Sequence, residues 1–378
     1  MSIQVVSVES SREKRDFLNL PWKLYAETEA WIPPLRGNQK EVVGFAKHPF
    51  YDTAEAQAFI ATKNGKTVGR ILAILDHAHN KFTKEKRGFF GFFESEDDSD
   101  VAAALFDESK KWLREKDIHL IRGPSNPSMN YECGLLVDSF DKSPSFMMTY
   151  NLPYYEKLIL ENGFQKAHDL LAYWGHVTML TKLDKKLQFI AEETISRFDV
   201  KTRPIDKKHF ERDLKIFLNI YNDSMQGHWG FVPLSEGEIE HTAAGLKHLI
   251  APEMTSIAEV DGKPIGAQFA LLDYNPRIKA IDGKLYPFGF MRMLWNKRKI
   301  KKIRMISTNV VQEYQKWGIG LALLYRLVPD ILEWGIQEAE LSWVLETNKL
   351  SRGTIERAGA VLEKTYRMYD FDGTPKEE

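Results

Sequence analysis

A single cysteine, Cys133, stands among 378 residues. An intramolecular disulfide and a cysteine-built zinc site are thereby excluded, and a reducing, cytoplasmic setting is expected. Long apolar runs are missing too. No stretch approaches the roughly 18 uncharged apolar residues of a membrane-crossing helix, and the first fifteen residues carry five charged side chains without the apolar core of a secretion signal. Net charge is nearly absent: 52 Lys and Arg against 53 Asp and Glu leave -1, so no global field exists to hold a polyanion, and nucleic acid is not an expected partner. The ten histidines are scattered, and His77-Ala78-His79 has no ligand spacing beyond Asp76, so no metal site is expected. A hydrophobic fraction of 43% beside 28% charged residues rules out disorder, collagen and coiled coil as the main architecture. At about 150 residues per domain, the length predicts two domains.

What is present is a duplication. Ile60–Leu75 reads IATKNGKTVGRILAIL and Ile257–Leu272 reads IAEVDGKPIGAQFALL, identical at seven of sixteen positions with a constant offset of 197. Both are apolar runs around an Asn-Gly or Asp-Gly pair (Asn64-Gly65, Asp261-Gly262), the signal for a hairpin with a type I′ turn. Further on, Gly163-Phe164 and Tyr173 correspond to Gly359-Ala360 and Tyr369. In both places a helix-like stretch ends at glycine and a β-rich run follows. Matches in the same order predict two homologous α/β halves.

The boundary is placed between Tyr173 and Val200, giving domains 1–180 and 181–378. Thr181–Phe198 is charged and carries Leu183, Leu187, Ile190, Thr194 and Phe198 at helical spacing, so the connection is expected to be a helix. In the second half the pattern predicts helices over Asp206–Met225 and Ser235–Leu249, the latter with Ser235 and Glu238 as a capping box. Strands follow over Met254–Val260 and Ile265–Asp273. The order then runs strand Lys302–Val311, helix Gly318–Trp334, strand Glu340–Leu345, helix Lys349–Ala358 and strand Leu362–Phe371. This is a mixed sheet with helices on both faces. The tail, Asp372–Glu378, is expected to be disordered.

The sharpest chemical feature is Ile303–Leu324, IRMISTNVVQEYQKWGIGLALL. A β-rich run leads into Gln315-Lys316-Trp317-Gly318-Ile319-Gly320, and an amphipathic helix opens at once. Strand, glycine turn and helix N-terminus in that order gather free backbone N–H groups and a positive dipole end around one point, a constellation that binds phosphates. It lacks the P-loop pattern and the third glycine of a dinucleotide fingerprint. A plain strand-to-helix turn is the bland alternative. Pro329 is expected to kink the helix.

Gln315-x-x-Gly318-x-Gly320 after Val310-Val311 resembles the acetyl-CoA pyrophosphate loop of the GNAT acyltransferase superfamily. Arg122–Phe140, Tyr150–Leu170, His228–Pro233 and Glu340–Asn348 look like motifs of the duplicated GNAT proteins that include bacterial ceramide synthases. These blocks cover both halves. The resemblance implies an α/β (α+β) fold of two tandem GNAT-like domains, each a mixed, mostly antiparallel sheet flanked by helices. It implies acetyl-CoA or a longer acyl-CoA as co-substrate and acyl transfer to an amine, either a small molecule or a lipid amine of sphingoid type. The implied cofactor contacts are Val310, Val311, Gln315, Lys316, Trp317, Gly318, Ile319 and Gly320, with Asn348 near the pantetheine arm.

The first half departs from this pattern. Where a second loop is expected, between a strand at Gly88–Phe93 and a helix from Val101, the chain reads Glu94-Ser95-Glu96-Asp97-Asp98-Ser99-Asp100. Five carboxylates and no glycine would repel a pyrophosphate, so cofactor binding is expected in the second half alone.

Direct transfer needs a neutral amine, an oxyanion donor and a proton for the leaving thiolate. The resemblance implies that a backbone N–H at the end of the Met305–Val311 strand polarises the carbonyl. That strand carries Arg304, Ser307, Thr308 and Asn309 but no carboxylate, so the family's usual glutamate is missing. Candidates for the base are His228, Glu346 and Tyr221. The family's usual acid, a tyrosine four residues before the helix-ending glycine, is Ile355 here and Ile159 in the first half, which leaves Tyr366 or water. These absences keep open a second reading, a noncatalytic acyl-CoA-binding or sensing protein. An aminoacyl transferase using charged tRNA is disfavoured by the cofactor loop and the neutral charge. Cys133 lies in the half without the loop and reads as a buried thiol.

Lys297–Arg304 holds six cations in eight residues. A solvated connection is the plain reading; the 3′-phosphate of CoA or a peripheral contact with an anionic membrane are the alternatives. Phe288, Met291, Met293 and Trp295 just before it read either as an apolar approach or as core.

Overall fold

The computed structural model describes residues 2–182 and 185–375, and the chain divides into two compact units. The first is Met1–Leu170 with Asn275–Phe290 and Lys364–Glu378; the second is Leu171–Tyr274 with Met291–Glu363. The chain first passes from one unit to the other at Leu170–Leu171, and two later segments return to the first unit.

In chain order the first unit has β1 (Ile3–Ser7), α1 (Ser11–Leu24), α2 (Arg36–Val42), β2 (Ala54–Lys63), β3 (Lys66–Asp76) and α3 (His77–Thr83). Then come β4 (Arg87–Ser95), α4 (Ser99–Arg114), β5 (Leu120–Gly123), the short β6 (Ser125–Asn126), β7 (Glu132–Cys133) and β8 (Leu135–Leu136), and α5 (Tyr155–Glu161). The division passes through β9 (Gln165–His176). Next are α6 (Lys185–Arg197), β10 (Lys201–Arg203), α7 (Phe210–Ser224), α8 (Glu236–Leu246), β11 (Thr255–Val260) and β12 (Lys263–Leu272). After them come α9 (Asn275–Ala280), α10 (Gly289–Leu294), β13 (Lys302–Val310), α11 (Ile319–Trp334), β14 (Glu338–Leu345), α12 (Lys349–Arg357) and β15 (Val361–Asp372). Leu183 of the expected connecting helix lies outside the described residues. The tail begins in order: Asp372 ends β15 and the Gly373 N–H donates to His119 O at 3.0 Å. Residues 376–378 lie outside the described residues.

The duplicated hairpins have the expected chemistry. Asn64 and Gly65 have φ of 53° and 72°, and Asp261 and Gly262 have 50° and 73°, the positive pair a type I′ turn requires. In the first unit β1, β2, β3 and β4 run antiparallel, β4 and β5 parallel, and the end of β15 lies antiparallel to β5. In the second, β10, β11, β12 and β13 are antiparallel and β14 is parallel to β13.

β3 is buried on both faces, so its apolar run is continuous rather than alternating. Ile71, Ala73 and Leu75 join Leu105 and Phe106 of α4, while Leu72 and Ile74 join Phe17 and Phe50 on the other side. Glycine recurs where helix meets strand. A Cβ at Gly69 would come within 2.7 Å of Leu105 Cδ1, and one at Gly266 within 3.0 Å of Ile319 Cγ2. These two glycines are repeat equivalents and let α4 and α11 press onto β3 and β12. α11 runs unbroken through Pro329.

The later segments of the first unit are held by polar contacts. Trp22 Nε1 donates to Asp282 Oδ1 at 2.5 Å, Arg36 pairs with Asp282 at 2.9 Å, and the Arg36 N–H donates to Gly283 O at 3.0 Å. Arg122 makes a two-pronged pair with Asp370, both contacts at 2.7 Å.

Candidate functional site

β13 and β14 pair only from Lys302 opposite Glu338 to Met305 opposite Leu341. Beyond that rung β13 continues to Val310 and β14 to Leu345 without pairing, which opens a wedge between neighbouring parallel strands. Arg304 fastens the closed end. Its Nε donates to Ser342 Oγ at 2.8 Å and its terminal nitrogen to Ser342 O at 3.3 Å, while Ser342 Oγ donates to Glu340 at 2.7 Å. All three side chains are buried.

Register decides which amides face the wedge. The Val311 N–H donates to Ile265 O at 2.9 Å, and Val310 lies opposite Gly266. Backbone groups alternate sides along an antiparallel strand, so Val310 and Thr308 turn their N–H groups away from β12 and into the wedge. Of the two valines expected to contact cofactor, Val310 has an amide facing the wedge, and Val311 has spent its own on the sheet. The Val310 carbonyl accepts Gln315 Nε2 at 3.2 Å.

The glycine loop follows directly. Gln312–Trp317 forms 3₁₀ turns, Gly318 sits in the left-handed region at φ 81°, and α11 begins at Ile319. Leu321 and Ala322 donate to Gly318 O, and the helix itself provides no partners for the amides of Ile319 and Gly320. A Cβ on Gly318 would meet Thr194 Oγ1 at 2.6 Å, whereas one on Gly320 would find only Thr308 Cγ2, at 3.5 Å. The two glycines thus differ in their surroundings: Gly318 is required by the turn and by α6, and Gly320 faces open space. Ile319 is buried in the core with Val310 and Leu323, so only its backbone is available to a ligand. Lys316 is exposed. Trp317 packs on Phe198 and Tyr314 at ring separations of 4.1 and 4.8 Å, and its carbonyl accepts Thr194 Oγ1 at 3.0 Å.

The end of α7 clamps the loop's start. Asp223 accepts the Gln312 N–H at 3.3 Å, Ser224 O accepts Gln315 Nε2 at 3.4 Å, and Ser224 Oγ donates to Asn309 at 3.1 Å. Sequence reasoning missed Asp223 and Ser224. Their partners lie 85 to 91 residues away, and an Asp-Ser pair ending a helix carries no signal of its own.

The candidate catalytic side chains belong to different elements. Tyr221 sits on α7, its ring 5.7 Å from Phe231. His228 follows in the exposed turn, with Nδ1 3.1 Å from Met225 O. Glu346 lies beyond β14, its carbonyl accepting Arg352 at 2.9 Å, and Asn348 caps α12 by accepting the Ser351 N–H at 3.1 Å. Tyr366 belongs to the first unit, fully buried opposite Leu136. Ile355 packs with Leu171 and Tyr173. Among the described residues no three His, Cys, Asp or Glu side chains are grouped to hold a metal, and no helix is long and apolar enough to cross a membrane.

In the first unit the equivalent place is filled. Ser95 lies opposite Gly69 as Val310 lies opposite Gly266. Its N–H donates to the Tyr155 hydroxyl at 3.1 Å and its carbonyl accepts the Tyr154 hydroxyl at 2.7 Å. The acidic stretch is not one exposed loop, which corrects the sequence expectation: Glu94 is a strand residue receiving hydroxyls from Tyr25 and Tyr155, both at 2.7 Å, and Arg70 at 3.3 Å. Burial pushes the Glu94 carboxyl up from its ordinary range despite these donors. Asp98 caps α4.

No protein-family model matches the chain. It is 34% identical over 367 residues to Protein YghO of Escherichia coli (strain K12), covering 96% of this chain and 93% of that one. It is 32% identical over 378 residues to the bacterial ceramide synthase of Caulobacter vibrioides (strain NA1000 / CB15N), covering 97% of each. Two solved structures share the fold over nearly the whole length. One is a tandem GNAT protein from the clavulanic acid biosynthesis pathway, with a TM-score of 0.56, 11% identity and full coverage of both chains. The other is a GCN5-related N-acetyltransferase from Sphaerobacter thermophilus, with a TM-score of 0.51, 12% identity and coverage of 100% and 97%. With a wedge and glycine loop in one repeat and a filled equivalent in the other, the chain has the tandem GNAT fold, and with full-length relatives above 30% identity it belongs to the family of the bacterial ceramide synthase and Protein YghO.

Proposed function

We propose that the second unit transfers an acyl group from acyl-CoA to an amine, and that the acceptor is a lipid amine of sphingoid type. The observation that carries the reading is the Val310 amide, turned into the wedge immediately before the glycine loop. A thioester carbonyl placed there accepts that N–H, which stabilises the oxyanion as the amine attacks. The C–N bond forms, the C–S bond breaks, the nitrogen loses one proton to a base and the thiolate gains one. The amides of Ile319 and Gly320 and the positive end of α11 suit the pyrophosphate. The name of the Caulobacter relative supports the lipid acceptor.

The second reading, an acyl-CoA sensor, draws on two features: β13 has no carboxylate, and Ile355 takes the usual acid's place in an apolar cluster. Incubation with acyl-CoA of several chain lengths and a panel of amines separates them. Free thiol that accumulates only when acceptor is present is the expected result. Saturable acyl-CoA binding with no acceptor-dependent thiol across the panel would replace the transferase with the sensor.

A further inference from the structure

The stretch between Gly283 and Lys302 contains Lys284, Arg292, Lys297, Arg298, Lys299, Lys301 and Lys302 and no carboxylate. Its aromatic and sulfur side chains were open to two readings, and the structure separates them. Met293 is buried core. Tyr286 is 87% exposed, Phe288 64%, Phe290 41%, Met291 59% and Trp295 77%. Five large apolar side chains thus reach solvent within ten consecutive positions, of which Met291 and Trp295 belong to the second unit.

The segment is held in shape locally. Phe290 N–H donates to Leu285 O at 2.7 Å and Trp295 N–H to Met291 O at 2.8 Å, while Gly289, Met293 and Ile300 are buried. Several cations are anchored: Lys284 beside Asp282 at 3.0 Å, Lys302 beside Asp273 at 3.8 Å, Arg298 over Trp334 and 4.0 Å from Glu333, Lys301 on Trp334 O and Lys297 on His248 O. Arg292 and Lys299 are exposed and pair with no carboxylate among the described residues.

We infer that residues 291–299 of the second unit form a docking surface for an anionic lipid bilayer. Exposed Met291 and Trp295 interleaved with cations suit the headgroup boundary, where amphipathic rings settle and positive charge meets anionic lipid. The charge selects this occupant, since a carboxylate-free basic stretch of this length complements an anionic plane. The inference stands independently of CoA binding, and it would bring the protein to the surface where a lipid amine resides.

The test is co-sedimentation of the full chain with vesicles of pure phosphatidylcholine and with vesicles containing 30 mol% phosphatidylglycerol, about the scale at which surface charge acts. The expected result is partition into the anionic vesicles that weakens with salt. Arg292→Glu and, separately, Met291→Ser/Trp295→Ser should each lower that partition by about tenfold, with unfolding transitions and calorimetric CoA affinity unchanged. Absent or charge-independent partition, or variants that pellet like the parent, would overturn the inference. It would also fall if the apolar variant lost affinity for long-chain acyl-CoA alone, placing an acyl chain on the patch, or if a dimer of the parent dissociated in the variant. Loss of CoA binding in the parent leaves this inference standing and removes the proposed transferase instead.

Discussion

Tyr155 and Ser95 share a hydrogen bond of 3.1 Å, the backbone amide donating to the phenol oxygen, and the same hydroxyl donates onward to Glu94 at 2.7 Å. Val310, in the corresponding register position of the other repeat, has no side chain of the described residues taking its amide. One unit thus satisfies internally a group that its duplicate presents. Calorimetric titration with CoA is expected to give one site per chain; two equivalent sites would overturn the asymmetry.

Tyr155→Phe should leave the buried Ser95 amide without its partner and Glu94 Oε2 with Tyr25 alone. The loss at the amide is of the kind that costs about 1 to 3 kcal/mol. Urea unfolding should show the chain destabilised on that scale, with CoA stoichiometry still at one. A variant as stable as the parent would show that the network contributes nothing to the first unit.

The two loop glycines should separate. Gly318→Ala meets Thr194 at φ 81° and should cost stability, about 1 to 3 kcal/mol for the strained backbone. Gly320→Val has space within the fold and should shift unfolding by less than about 1 kcal/mol, while weakening CoA affinity about tenfold or more. Gly37→Ala, whose Cβ would meet nothing within 4 Å, is the control. Unaltered affinity in folded Gly320→Val would reduce the loop to a turn.

His228, Glu346 and Tyr221 are the candidates for the base, and His228 is the one to test first. A proton on Nδ1, donated to Met225 O, leaves Nε2 with its lone pair. His228→Ala should lower kcat by about a hundredfold with CoA affinity intact. Glu346→Gln and Tyr221→Phe should change kcat less. If Glu346→Gln alone lowered kcat that far, the assignment would move there.

Acid should weaken the first unit through His79. Burial lowers its pKa to about 4 from 6.5, with Glu85 3.7 Å away opposing the shift. Between those values the unfolded chain binds the proton and the folded chain does not, so stability is complete above pH 6.5 and lost as pH falls toward 4. From pH 7.5 to 5 this amounts to about 2 kcal/mol. His79→Gln should flatten the dependence of the urea midpoint across that window; an unchanged slope would assign it to other groups.

The sequence reading was accurate where signals are local. The Asn-Gly and Asp-Gly turns, the Ser235–Glu238 capping box at 3.2 Å and the onset of α11 after Gly318 follow from residues within a few positions of each other. It failed where the deciding partner is remote. Glu94 looks like part of a solvated acidic run until Tyr25 and Tyr155, 69 and 61 residues away, are placed upon it. Likewise, the wedge depends on where two strands cease to pair, which no composition of either strand reveals, and Asp223 and Ser224 became visible only through their contacts with the loop.

Asp282 on Trp22 and Asp370 on Arg122 also bear on the protein's history. Two stretches translated with the second repeat complete the first unit, so one cut in the connection would leave a fragment without its closing strand. Once the copies exchanged these stretches, neither could be passed on, shuffled or discarded as a cassette. A repeat whose loop position is filled by Tyr154 and Tyr155 is thereby kept in the gene, because its own unit is completed by its partner's chain.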